Sequence, residues 1–363
     1  MAGRVAPCPV SVLVAVVVAS SLSTAADPPQ TPLVGMGRGV APNREETPLV
    51  GLFGTDAPGT ANITNAVWDP DPGKLVAEHR RSGRAAFLHL GLIPESVGNS
   101  IWNVQCEKLG KCDEGTGCGA TVSGLLPGWE AALSGAIRSI GPALANESVR
   151  GVFLGDEMCS TVGIPAANLS AVATAAKNAM AAWGGGLVVS NEGIWAVNGT
   201  ANGPNAKSKF PRPTPCYLPA IPAAIDLFSV DVYVSSAENQ PRPGISDAEE
   251  ARVAKAFYDR YITPKLHAHQ RLLLVPGTFA DPDVGRSGSI AKQDVVIAQK
   301  LRGYVRWLRN DSRVVGINAW KWADDKLANG SWNPSYGAIA VGLASLPRAQ
   351  SVLAEVAHPN GQS

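Results

Sequence analysis

The sequence predicts a (β/α)8 TIM barrel, a single domain with long loops, and three observations carry that prediction. Short apolar runs alternate with helix-forming stretches along most of the chain. The runs are continuously apolar rather than alternating, as in parallel strands buried on both faces. Several end in acidic, amide or aromatic residues, as the strands of a parallel barrel do at its chemical face. The 363 residues suit a barrel of about 250 residues plus loops. A doubly wound open sheet is the main competitor. It would show a Gly-rich phosphate loop after the first strand, and Gly51-Leu52-Phe53-Gly54 lacks that spacing.

Residues 1–26 read as a secretory signal. Arg4 gives the positive start, 10–19 the apolar core, and Ser23-Thr24-Ala25-Ala26 the small-residue cleavage site. The apolar core is too short to span a bilayer, so no membrane span is expected after cleavage. Six N-x-S/T sequons, at Asn62, Asn146, Asn168, Asn198, Asn310 and Asn329, agree with a secretory route. Residues 27–46, rich in Pro, Gly and polar side chains, read as a flexible N-terminal segment, and 47–360 as the barrel domain. The sequence TPLVG occurs at 31–35 and again at 47–51, too short a repeat to imply duplication.

Five cysteines follow the signal, and in an oxidising compartment they should pair with one left over. Cys106, Cys112 and Cys118 crowd one Gly-rich loop. Their six-residue spacing and the lack of a nearby His favour disulfides over a zinc cluster. The net charge of +1 with no basic run argues against a nucleic-acid partner. With no Walker-type lysine and no dinucleotide loop, no cofactor is expected.

Taken in order, 49–53 is the first clear strand, followed by the polar Gly54-Thr55-Asp56. A helix over 73–84 leads to a strand over 85–92 that contains His89. Residues 94–126 hold Trp102 and the cysteine cluster and show no clear period. Trp129, Leu133, Ile137, Ile140 and Leu144 fall near helical spacing. The strand 149–154 ends at Gly155-Asp156-Glu157. An Ala-rich helix over 168–183 is stopped by Gly184-Gly185-Gly186. The strand 187–190 ends in Asn191-Glu192-Gly193, and a long loop follows over 193–220. The strand 225–230 ends in Asp231-Val232-Tyr233. A helix over 246–262 starts at Ser246 with an acidic first turn and stops before Pro264. His267 and His269 lie before the strand 271–275, on the face away from chemistry. That strand ends in Gly277-Thr278-Phe279, with Asp281 beyond. A helix over 291–308 precedes the strand 314–319, which ends in Trp320-Lys321-Trp322-Ala323-Asp324. A helix over 347–358 closes the ring. Seven strands are legible. The eighth is either 32–34 or hidden in the cysteine-rich region, and in both cases the strand before Asp156 is the fourth.

In a barrel these strand ends converge. They carry Asp56, His89, Asp156, Glu157, Asn191, Glu192, Asp231, Tyr233, Asp281, Trp320, Trp322 and Asp324. Carboxylates there can transfer protons when burial and mutual repulsion push their pKa values apart. Aromatic rings there can stack on the apolar faces of sugars, and acids with tryptophans point to carbohydrate chemistry. The bland alternatives are helix-capping acids, a core histidine with a satisfied ring nitrogen, and tryptophans that only pack. A Ser or Cys hydrolase needs a base beside its nucleophile; G-x-S-x-G is absent and no histidine sits at a matching strand end. Asp56 and His89 give a metal-dependent phosphodiesterase only a thin foothold, and no metal site is assigned.

From about Leu49 to the last helix the chain resembles the barrel glycoside hydrolases. Glu157, after the fourth strand, matches the usual place of their general acid, and Trp320 and Trp322 match aromatic positions that floor the sugar site. Phe153-Leu154-Gly155-Asp156-Glu157 resembles the Gly-Asp-Glu ending of β-hexosaminidases. In that family the Glu protonates the leaving oxygen and the Asp orients the substrate's acetamide. The resemblance implies a secreted glycosidase acting on O-glycosidic bonds of a carbohydrate substrate, with Glu157 as general acid/base. Asp156, Asp231 and Glu192 are the further catalytic candidates, and His89, Asn191, Tyr233, Trp320, Trp322 and Asp324 the substrate-binding ones. The alternative is a catalytically inactive barrel that binds glycans or proteins. One departure matters: retaining β-glycosidases of the commonest barrel type carry Asn-Glu after strand four and Glu after strand seven. Here the first place is Asp156-Glu157, and the second has no acid before Asp281. Two mechanisms survive: substrate assistance through Asp156 and Glu157, or Glu157 paired with Asp231 or Glu192. Asn191-Glu192 looks like an acid/base pair one strand late.

Overall fold

Eight strands run parallel in one sheet, with helices packed against it. The computed structural model describes residues 49–52, 60–64, 72–90, 101–106, 120–160, 163–199, 216–233, 249–280, 289–320, 331 and 341–358. The strands are β1 (Leu49–Leu52), β2 (Ile63–Thr64), β3 (Ala85–His89), β6 (Val149–Asp156), β7 (Leu187–Gly193), β8 (Leu227–Asp231), β9 (Arg271–Leu274) and β10 (Val314–Ala319). Their neighbour order is β2-β3-β6-β7-β8-β9-β10-β1, and every ladder is parallel. The first strand thus pairs with the last. The two edge strands also meet: Asn62 N donates to Val50 O at 2.9 Å, and Asn62 Oδ1 accepts from Val50 N at 2.8 Å. This is a consecutive α/β arrangement with its ends brought together at a seam between β1 and β2.

The segment 32–34 lies outside the described residues, and the eighth strand of the sheet does not come from the cysteine-rich region. It is β2, two residues inside the Asn62 sequon, too short to show a period. In the cysteine-rich region β4 (Trp102–Cys106) and β5 (Ala120–Leu125) form a separate antiparallel hairpin. Cys112, Cys118, the side chain of Cys106, the expected signal and the segment 27–46 lie outside the described residues.

The helices are α1 (Pro72–Ser82), α2 (Trp129–Ser139), α3 (Gly141–Ala145), α4 (Ala166–Ala181), α5 (Ile194–Asn198), α6 (Glu250–Tyr261), α7 (Ile290–Asn310) and α8 (Pro347–Ala357). The single helix expected over 129–144 is broken at Ile140, because Pro142 cannot continue the hydrogen-bond ladder. The loop expected over 193–220 begins with the short α5. Residues 246–248, the expected start of α6, lie outside the described residues. In α7, Ser289 caps the first turn by accepting from Lys292 N. Ile297, Leu301, Tyr304 and Leu308 then fall on one buried face.

Strand alternation sorts the apolar side chains into two cores. Leu49, Phe87, Phe153, Val189, Leu227 and Leu273 belong to a small inner cluster enclosed by the sheet. Val152, Leu154, Val188, Phe228 and Leu272, from the other face, join the helices in the larger outer core. The helices hold the strand ends in place. Tyr258 of α6 donates its hydroxyl to Val230 O and accepts from Val230 N, at 2.9 and 2.8 Å, one residue before Asp231. Among the described residues no helix is long and apolar enough to cross a membrane.

Candidate active site

β6 ends in a bulge that turns two consecutive carboxylates toward one place. Alternation alone would send Asp156 and Glu157 to opposite faces. The β6–β7 register slips between Phe153 and Asp156. Gly155 takes φ 140°, and Glu157 sits at φ 49°, a left-handed conformation that costs a glutamate roughly 1–3 kcal/mol. Glu157 N donates to Asn191 O at 2.9 Å, so the turn stays attached to β7.

Asn191 is the hub. Its Nδ2 donates to Asp156 Oδ1 at 2.7 Å and to Asp231 Oδ1 at 3.0 Å. Two oxygens within reach of one nitrogen lie less than about 6 Å apart. Ser229 Oγ donates to Asn191 Oδ1 at 2.7 Å, fixing which end of the amide faces the acids. Asp156 keeps solvent-exposed surface while protein surrounds it, as at the floor of an open mouth. Burial raises its pKa, and the Asn191 amide holds it back. Burial raises Asp231 well above the carboxylate range, reinforced by the charges of Asp156 and Glu157.

Glu192 is buried with 0% exposure. Its Oε2 accepts from Cys159 N and Ser160 N, each at 3.0 Å, and Oε1 lies 3.2 Å from Cys159 N. Burial pushes its pKa up to about 8. The two peptide N–H groups oppose that shift, and Glu157 and Asp156 add to it. Ser160 Oγ accepts from Gly193 N at 2.7 Å. A Cβ at position 193 would come within 2.7 Å of Glu157 Oε1, so glycine there makes room for that carboxylate. Cys159 is also disulfide-bonded to Cys216, which ties the turn after β6 to the segment preceding β8.

An aromatic wall flanks the acids. Tyr233 stacks on Trp320 with centroids 5.6 Å apart, and Phe279 packs edge-on against both. Burial, then Asp231, Asp156 and Glu157, push the Tyr233 hydroxyl well above its ordinary pKa. Behind Phe279, the buried Lys300 bonds Gly277 O at 3.0 Å and pairs with Glu250 at 3.0 Å. His89 lies inside the sheet, edge-on to Phe153 at 4.7 Å, and burial depresses its pKa to about 3.

Of the residues singled out from sequence, Asp156, Glu157, Asn191, Glu192, Asp231, Tyr233 and Trp320 therefore come together at one end of the sheet. Trp322, Asp324, Asp56 and Asp281 lie outside the described residues. His269 Nε2 bonds Ala223 O at 2.9 Å, on the expected opposite face. Sequence reasoning missed Ser229, Ser160, Cys159 and Phe279. Ser229 was within reach of a period-2 reading, two residues before Asp231. Among the described residues no group of three or more His, Cys, Asp or Glu is arranged to hold a metal ion.

No protein-family model matches the sequence, and no curated protein matches it. Among solved structures, the GH2 β-galacturonidase from Eisenbergiella tayi is 12% identical, over 84% of this chain and 45% of that one, with a TM-score of 0.47. The chain thus spans less than half the length of that protein. A GH113 β-1,4-mannanase is 10% identical, over 83% of this chain and 89% of that one, with a TM-score of 0.42. A GH128 (subgroup II) endo-β-1,3-glucanase from Sorangium cellulosum is 13% identical, over 82% and 97%, with a TM-score of 0.41.

Proposed function

We propose that this chain is a secreted glycoside hydrolase on a complete (β/α)8 barrel, cleaving O-glycosidic bonds with Glu157 as general acid/base. The observation that carries the reading is the Asn191 bridge. It gathers Asp156 and Asp231 beside Glu157, in a mouth walled by Tyr233 and Trp320. Glycosidases need two carboxyl groups flanking the bond, one of them holding a proton at working pH. Glu157 is partly exposed and so within reach of a substrate oxygen. Asp231 then holds the water, or the substrate's acetamide, on the other side of the sugar ring. Asp156 sets the charge between them. Trp320 and Tyr233 give the ring its platform, with His89, Asn191, Trp322 and Asp324 as further substrate contacts. Glu192 is fully buried and occupied by two peptide N–H groups, so its role is to hold the turn that presents Glu157.

The test is Glu157→Gln, which keeps the shape and removes the proton. On an aryl glycoside with a poor leaving group the rate should fall by about 10²–10⁴. An activated leaving group needs no proton and should lose much less. An unchanged rate on both substrates would sink the assignment. A wild type that binds glycans but hydrolyses none across a broad panel would favour the non-catalytic barrel. For the secreted route, the mature N-terminus should fall near Asp27, with glycan on several sequons. An intact Met1 with bare asparagines would exclude it.

A further inference from the structure

Above the inner apolar cluster lies a polar layer, and two of its side chains hold buried polar atoms with no hydrogen bond to another described residue. Leu49, Phe87, Val189 and Leu227 point into that cluster, so Gly51, His89, Asn191 and Ser229, two residues on, face the same interior one layer nearer the mouth. On β10, a Cβ at Gly316 would meet Leu49 Cβ at 2.7 Å and Leu273 Cδ1 at 2.8 Å, so this position faces inward too. Asn318 and Trp320 follow it at the same spacing. Asn191 and Ser229 satisfy each other at 2.7 Å. Across the interior, Asn318 is 1% exposed, and among the described residues neither its Oδ1 nor its Nδ2 is hydrogen-bonded; His89 is 5% exposed, with Nδ1 unbonded to any other described residue. Between Asn318 and His89 around the sheet, the ladder sets Gly51 opposite Asn318, and glycine brings no side chain to fill the layer.

A buried donor or acceptor left unmade costs more than an ordinary hydrogen bond contributes, and orphans in native structures mark a missing partner. Here they lie on the inner face of the sheet, Asn318 two residues before Trp320 of the aromatic wall. Their chemistry selects the partner: an amide offers donors and an acceptor, and a neutral imidazole offers one of each. His89 stays neutral at any physiological pH.

We infer that Asn318 and His89 form a hydroxyl-reading subsite at the floor of the mouth. It takes the polar edge of an uncharged sugar ring whose face lies on Trp320, an inference that rests on the glycosidase reading above. The ligand class is a neutral hexose, held by one hydroxyl that donates to Asn318 Oδ1 and one that accepts from Nδ2.

The experiment uses Asn318→Leu, close in volume and unable to hydrogen-bond. Two readouts are taken: thermal shift with neutral hexoses (glucose, galactose, mannose), and hydrolysis of 4-nitrophenyl glycosides with their monodeoxy analogues. The variant should melt no lower than the wild type, because an orphan is removed. Hexose should raise the melting temperature of the wild type alone. On the preferred glycoside kcat/KM should fall by about tenfold, and on the deoxy analogue lacking the read hydroxyl the two proteins should be equal. A variant that melts well below wild type shows Asn318 to be a structural residue served by trapped water, and overturns the subsite. So does an equal loss on every deoxy analogue, an undiminished hexose shift, or no shift in the wild type. The two readings fail separately. If no glycoside is hydrolysed yet the hexose shift requires Asn318, the glycosidase falls and the subsite stands. If Glu157→Gln behaves as proposed and Asn318→Leu matches wild type, the reverse holds.

Discussion

The peptide N–H of Cys159 donates to the carboxyl of Glu192, 3.0 Å from one oxygen and 3.2 Å from the other. Burial of that carboxyl makes stability depend on pH. The pKa of Glu192 is raised, to about 8, so the folded chain holds a proton that the unfolded chain releases. The associated stability is fully present below the ordinary carboxylate value and is lost as pH rises through about 8. The melting temperature should therefore fall between about pH 5 and pH 9. Glu192→Gln, with its carbonyl in the place of Oε2, should flatten that slope. Glu192→Ala strands two N–H groups and should cost about 1–3 kcal/mol. Denaturation of the three proteins across this range checks both points, and an alanine variant as stable as wild type would refute the clamp.

Removing the Asn191 bridge should act on acidity before it acts on folding. The amide of Asn191 lowers the pKa of both Asp156 and Asp231. Asn191→Ala should raise both, move the acidic limb of the pH–rate profile upward and reduce kcat/KM by about 10²-fold. An unmoved limb would mean that neither aspartate titrates in the rate-limiting step.

The Cys159–Cys216 bridge spans 57 residues of sequence. Replacing both cysteines by alanine should cost roughly 2–4 kcal/mol. Because Cys159 also donates to Glu192, activity should fall at temperatures where the variant is still folded. Circular dichroism beside a hydrolysis assay separates the two effects. Equal melting with and without the bridge would remove it from the account.

Lys300 and Glu250 are buried together, with Tyr304 Oη 3.1 Å from Glu250 Oε1. Lys300→Met leaves Glu250 without its cation and should cost about 3–5 kcal/mol, whereas Lys300→Met with Glu250→Leu should recover most of that. A chemical-denaturation double-mutant cycle measures the coupling. A single variant as harmful as the double would show that packing, not charge, holds Phe279.

The strands of the candidate site were legible because each couples an apolar run to an acidic, amide or aromatic end, as at 149–157 and 225–233. β2 was not, since two residues cannot show a period and they pair with Ala85 and Ala86, beyond an intervening helix. The gathering of Asp156 and Glu157 required a bulge, which Gly155 permits but does not announce. For Glu192 the sequence reveals a carboxylate and not the peptide N–H groups of Cys159 and Ser160 that bind it. Asn318 sits in an ordinary apolar strand, and only the missing partners around it distinguish it from a packed residue.

The seam between β1 and β2 sets how the fold comes apart. Every other neighbouring pair in the sheet is joined by a ladder, while among the described residues this one is bridged by the backbone and side chain of Asn62. Amide protons of Val50 and Asn62 should then exchange with solvent through a local opening far cheaper than global unfolding, while those of β7 and β8 wait for the whole domain. The first strands would then leave and rejoin the sheet while the Asp156–Asn191–Asp231 bridge, on its central strands, stays assembled.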